Sequence, residues 1–191
     1  VVDQLARDFA DQPVVFLEHP VDTAQGDRIS RWWAAYAGGG SVLLPLVMVD
    51  SGYRHSYGSV AFSSAYRAMV EDALARPPEA RLEVARQRVG SAYRFDVQVT
   101  NLSPVTLGSG NQAALHAIVY EETHVGDTDR FVRGVTSISI PSLPSGTAAD
   151  YSMTVALGSV NWNRLHSVVL VDYRPGGSTG PYDMLAADLQ P

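Results

Sequence analysis

The chain contains no cysteine and no lysine. Without a thiol it can form no disulfide, supply no thiolate nucleophile and offer no sulfur ligand to a metal. Without lysine it has no Schiff-base or amine-nucleophile chemistry, and all fourteen basic residues are arginines. Such usage points to genomic composition or a hot habitat more than to mechanism. No apolar run approaches the roughly 20 residues that span a bilayer, and no signal-peptide pattern opens the chain. The net charge is −6 and the arginines are scattered singly, which argues against a nucleic-acid surface with its clustered cations. One catalytic pattern is missing as well: H-E-x-x-H, which would mark a zinc helix.

What is present divides by texture. Val2, Leu5, Ala6 and Phe9 recur on one face of a helix that Pro13 stops. Residues 14–17 read as a buried strand, and Asp27 caps a second helix with Ile29, Trp32, Trp33 and Tyr36 on its apolar side. Residues 43–58, LLPLVMVDSGYRHSYG, read as a β-hairpin with a proline at its mouth, followed by a helix carrying Phe62, Tyr66, Met69, Val70 and Ala73. Pro77 and Pro78 close this part. From Ala80 onward only alternating runs and turn clusters remain; Tyr93, Phe95, Val97 and Val99 face one way while Arg94, Asp96, Gln98 and Thr100 face the other. Seven such runs in about 110 residues predict a β-sandwich of immunoglobulin size. The expected class is therefore α/β plus all-β, divided as residues 1–78 and 79–191.

In order and length of elements the first 76 residues resemble a thioredoxin fold entered after its first strand. On that resemblance residues 2–9 stand for the first helix, 14–19 for the second strand, 27–36 for the second helix, Pro45 for the cis-proline and 60–75 for the last helix. It implies that the first strand and a Cys-x-x-Cys precede Val1, leaving a gap between the 14–17 strand and the hairpin. A chain that opens without methionine inside a helical pattern carries the same expectation of a cleaved or omitted segment. The resemblance also places His19, Asp22, Leu44 and Pro45 around the edge where an extended peptide would dock by strand-type hydrogen bonds. With segments such as HAIVYEE at 116–122 and VNWNRLHSVVLVDY at 160–173, the whole chain resembles secreted or lipid-anchored bacterial proteins that join a thioredoxin-like and an immunoglobulin-like part.

The remaining candidates are polar clusters. His116, Glu121, Glu122 and His124 form the tightest group of metal-type ligands, but their spacing matches no known metal motif, so a polar strand end is expected there. Adjacent Glu121 and Glu122 point to opposite faces of a strand and cannot form an acid/base pair. Residues 126–129 lack the ligand pattern of a calcium loop, and Asn101-Leu102-Ser103 matches a glycosylation sequon. Trp162 is expected to plug the sandwich core. No cofactor is expected. The functional expectation is a non-catalytic, extracytoplasmic binding or structural module whose partner is a protein or peptide, the absent preceding segment or a second copy. The alternative is the carboxyl-terminal part of a thiol-disulfide oxidoreductase with its Cys-x-x-Cys upstream of Val1.

Overall fold

A computed structural model describes residues 1–19, 26–37, 45–57, 62–125 and 128–190. The alternation read from Ala80 onward builds two facing antiparallel sheets. The first contains β3 (Ala80–Val89), β4 (Ala92–Asn101) and β9 (Ala148–Ala156), in the order β3-β4-β9. The second contains β6 (Ala114–Val125), β7 (Thr128–Ser139), β10 (Leu165–Tyr173) and β11 (Asp183–Gln190), in the order β11-β10-β6-β7. A small ladder of β5 (Leu107–Gly108) and β8 (Ser142–Leu143) closes one end. Phe95, Val97 and Val99 of β4 meet Leu115, Ala117 and Val119 of β6 and Val169 and Val171 of β10 in the core between the sheets. Trp162 lies partly buried against that core, its ring 5.3 Å from Tyr93. Gly134 lets β7 approach β9: a Cβ there would stand 2.7 Å from a methyl of Val155 and 3.1 Å from the Ala156 carbonyl.

β6 and β10 are apolar on both sides because the four-stranded sheet is covered twice. Its outer face carries Ile118, Tyr120, Val132, Val168 and Leu170, and residues of the amino-terminal part lie on them. Val15 and Leu17 point to this face, while Val14 and Phe16 point the other way, to a helical cluster of Leu5 from α1 (Val2–Asp8), Phe9 at its C-cap, and Tyr66 and Val70 from α3 (Phe62–Leu74). At Glu18 the backbone joins the edge of β7, donating to the Arg130 carbonyl and accepting from the Val132 N–H. Between these segments come α2 (Gly26–Ala37) and the hairpin of β1 (Leu46–Val49) and β2 (Arg54–Tyr57). The hairpin turns through Asp50, Ser51 and Gly52, all at positive φ.

This architecture overturns the thioredoxin-like reading and the α/β class that went with it. That fold requires residues 14–17 and β1 to belong to one central sheet flanked by helices. Among the described residues β1 pairs with β2 alone, and residues 14–17 enter no ladder with it. The reason is visible in the side chains: the VVFL run splits its apolar residues between two layers and gives its backbone to β7 at Glu18. The resemblance rested on the order and length of elements, which a hairpin and helices packed on a sandwich satisfy equally well. The described chain is mostly β, with three α-helices.

The sequon at Asn101 also has a structural meaning. Asn101 is fully buried, donates through Nδ2 to the Val105 and Leu143 carbonyls, and accepts through Oδ1 from the Ser103 N–H and hydroxyl. All its polar capacity is used to hold the loop after β4, so it is a fold-defining side chain and no acceptor for sugar.

Candidate functional site

Between the amino-terminal layer and β11 lies a cleft of about 1100 Å³. Its walls are residues 13–19, residues 45–50, the Tyr66, Val70 and Leu74 side of α3, and residues 184–187 of β11. The two runs from the amino-terminal part line it without interruption. Side chains of an extended strand alternate in direction, so an unbroken run against one space means that the backbone edge faces it. One flank of the cleft is the helical cluster around Leu5 and Val70; the other is the outer sheet at Met184 and Leu189. An extended segment lying there would meet apolar side chains on both faces.

Polar groups stand at the rim. Arg76 joins the hairpin turn to β11, 3.5 Å from Asp50 and 2.8 Å from Asp183, with its guanidinium 3.8 Å over the Tyr53 ring. Burial pushes the Asp50 carboxyl above its ordinary 3.8, opposed by the charge of Arg76 and reinforced by that of Asp183. The folded protein therefore holds the Asp50 proton more tightly than the unfolded chain, and this residue's contribution to stability falls as pH rises through the window just above 3.8. Asp50→Asn is expected to flatten the pH dependence of stability just above pH 3.8, read from urea midpoints, because asparagine tolerates the same left-handed backbone and does not ionise. An unchanged pH slope would show that Asp50 does not titrate in this range.

His19 and Pro45 both line the cleft, Pro45 exposed directly before β1. The His19 ring lies edge-on to Trp32 at 6.0 Å, and Trp32 lines the same space. Asp22 and Leu44 lie outside the described residues. The metal-type candidates are not brought together. His116 lies on the outer face of β6 and is buried, whereas Glu121 faces the opposite side, where Arg133 Nε at 2.6 Å and the Asn161 N–H at 3.0 Å satisfy its two oxygens. His124 is exposed and pairs with Asp129 at 2.8 Å. Among the described residues no three His, Asp or Glu side chains are grouped to hold a metal ion.

A second polar constellation escaped sequence reading. Asp172 on β10, fully buried, receives Arg31 of α2 through two bonds of 2.9 Å and His116 Nε2 at 3.0 Å. His116 Nδ1 lies 2.6 Å from the hydroxyl of Ser137 on β7. Arg31 also covers the Tyr182 ring at 3.4 Å. An acceptor-only carboxylate fixes the imidazole with its proton on Nε2, which leaves Nδ1 to accept from Ser137. Strand parity could have placed His116 and Asp172 on the outer face, but nothing local connects Arg31 with a residue 141 positions away.

No family model matches the chain, and no curated protein does either. Among solved structures it is similar to the sporulation control protein Spo0M of Bacillus subtilis, at 12% identity and a TM-score of 0.36 over 60% of this chain and 49% of that one. It is also similar to the Escherichia coli curli protein CsgC, at 11% identity and a TM-score of 0.28 over 55% of this chain and 96% of that one. A third similarity is to β-glucosidase 3B of Thermotoga neapolitana, at 8% identity and a TM-score of 0.33 over 60% of this chain and 17% of that one. The chain thus spans about half the length of the Spo0M chain it matches. Likeness at these scores carries no functional argument, and nothing in it points to a thioredoxin-like fold.

Proposed function

We propose that this chain is a binding module that takes an extended apolar peptide segment into the cleft between residues 14–17 and β1. The observation that carries this reading is the pair of unbroken backbone runs facing one apolar space. Among the described residues β1 is bonded to β2 on one side only, so its other edge can accept a strand. Four residues of β1 offer about 13 Å of edge, which fits a segment of four or five residues. Because the helical cluster covers one face and the outer sheet the other, every residue of that segment must be apolar, as in strands buried on both sides. Main-chain bonds supply affinity and the two walls select against charge.

The test uses a fluorescent peptide with a central Val-Val-Phe-Val-Val run flanked by arginines, and the same peptide with proline at its middle position. Proline removes one N–H and blocks strand pairing while keeping the peptide apolar. The proline peptide is expected to bind at least about tenfold more weakly by fluorescence anisotropy, the loss of roughly one to two net hydrogen bonds. Equal binding of the two peptides, or none by either, overturns the reading.

A further inference from the structure

The geometry points to Ser137 as an activated nucleophile, with His116 as its base, Asp172 and Arg31 as positioning residues, and small carboxylic esters as the substrate class. This site is separate from the peptide cleft and does not depend on it. Three features support it. Ser137 is exposed, whereas His116 and Asp172 are at most 1% exposed, so of nucleophile, base and carboxylate only the hydroxyl meets solvent. Both links are short, 2.6 Å from Ser137 to His116 and 3.0 Å from His116 to Asp172. Nucleophile, base and orienter thus stand in the order that acyl transfer needs. The tautomer set by Asp172 leaves the lone pair of Nδ1 aimed at the serine proton.

The backbone supplies the third feature. β7 is the edge strand of its sheet, and Ser137 lies directly across from His116. The Ile140 N–H donates to the Ala113 carbonyl, so by antiparallel alternation residues 136 and 138 also turn their amides toward β6. Ser137 then occupies a non-hydrogen-bonded position. Side chains are closest at such positions, and its own N–H points away from β6, off the edge that Glu18 joins five to seven residues earlier, where it can donate to an oxyanion forming beside its Oγ.

In the reaction, Ser137 Oγ attacks the ester carbonyl carbon as its proton passes to His116 Nδ1. The tetrahedral oxyanion collapses and breaks the carbon–oxygen bond to the alcohol, which leaves with the proton held on Nδ1. Water then attacks the acyl-serine with His116 again as base, releasing the carboxylic acid and restoring Ser137.

The whole chain is incubated with a fluorophosphonate probe and with p-nitrophenyl acetate, and the adduct is mapped by mass spectrometry. One adduct on Ser137 is expected, and Ser137→Ala, at an exposed position, loses it together with about 100-fold in ester hydrolysis, while Ser139→Ala keeps both. Because the chain has no native thiol, Ser137→Cys gives a second readout that leaves the buried partners untouched. Its iodoacetamide reaction at neutral pH is expected to run at least about tenfold faster than that of Ser139→Cys. Labelling spread over other serines, or equal rates for the two cysteine variants, overturns the proposal.

Discussion

Phe95→Ala lowers the free energy of unfolding by about 3–5 kcal/mol, the range for deleting a fully enclosed aromatic side chain. Phe95 is 0% exposed and sits at the centre of β4, opposite Arg86 on β3 and Met153 on β9. Its ring stands 6.1 Å from Tyr93 and fills the space between the sheets. Alanine leaves a void that the two sheets cannot close, because their separation is fixed by the surrounding pairs of Val97, Val99, Leu115 and Val169. The loss is read as a lower urea midpoint with an unchanged slope. A loss below about 1 kcal/mol would mean that Phe95 is not the centre of a packed sandwich core.

Arg31→Met costs about 3 kcal/mol, because it leaves the carboxylate of Asp172 buried without its cation. Asp172 is 0% exposed and the Arg31 side chain 22%, so the pair is largely shielded from water and the discount for solvent screening is small. The imidazole of His116 still donates one bond, but it cannot neutralise the charge without taking up a proton. Adding Asp172→Asn to Arg31→Met is expected to recover at least half of the loss, since a neutral amide still accepts from His116 Nε2. A double-mutant cycle in urea measures this coupling; additive losses would show that the pair contributes as two separate contacts.

The seven longer strands after Ala80 were legible because each exposes one face to a core and the other to solvent, or is apolar throughout where both faces are covered, whereas the two-residue strands β5 and β8 are too short to show a pattern. Residues 92–101 show the first pattern and 165–173 the second. The amino-terminal part was not legible in the same way. Its VVFL run is as apolar as a central strand, yet it serves two layers at once and pairs with β7 only through Glu18. Periodicity reports that a residue is buried without naming the layer that buries it. Element order then suggested a thioredoxin-like sheet, which is overturned by the pairing of β1, among the described residues, with β2 alone. Of the site, His19 and Pro45 were grouped only through the thioredoxin resemblance; both line the cleft, although the sheet that was to bring them together is not formed. The Arg31–Asp172–His116–Ser137 relay was invisible because its members come from four elements and no short motif joins them. Asn101 shows the converse: a sequon is a local pattern, but its burial is a tertiary fact.

The central claim is that the free edge of β1 receives an added strand, and backbone amide exchange of residues 46–49 tests it most directly. With the Val-Val-Phe-Val-Val peptide bound, alternate amides of β1, those not already bonded to β2, are predicted to slow in exchange, while the proline peptide leaves them unchanged. Binding of the peptide with no change in any β1 amide would contradict strand addition, whatever its affinity.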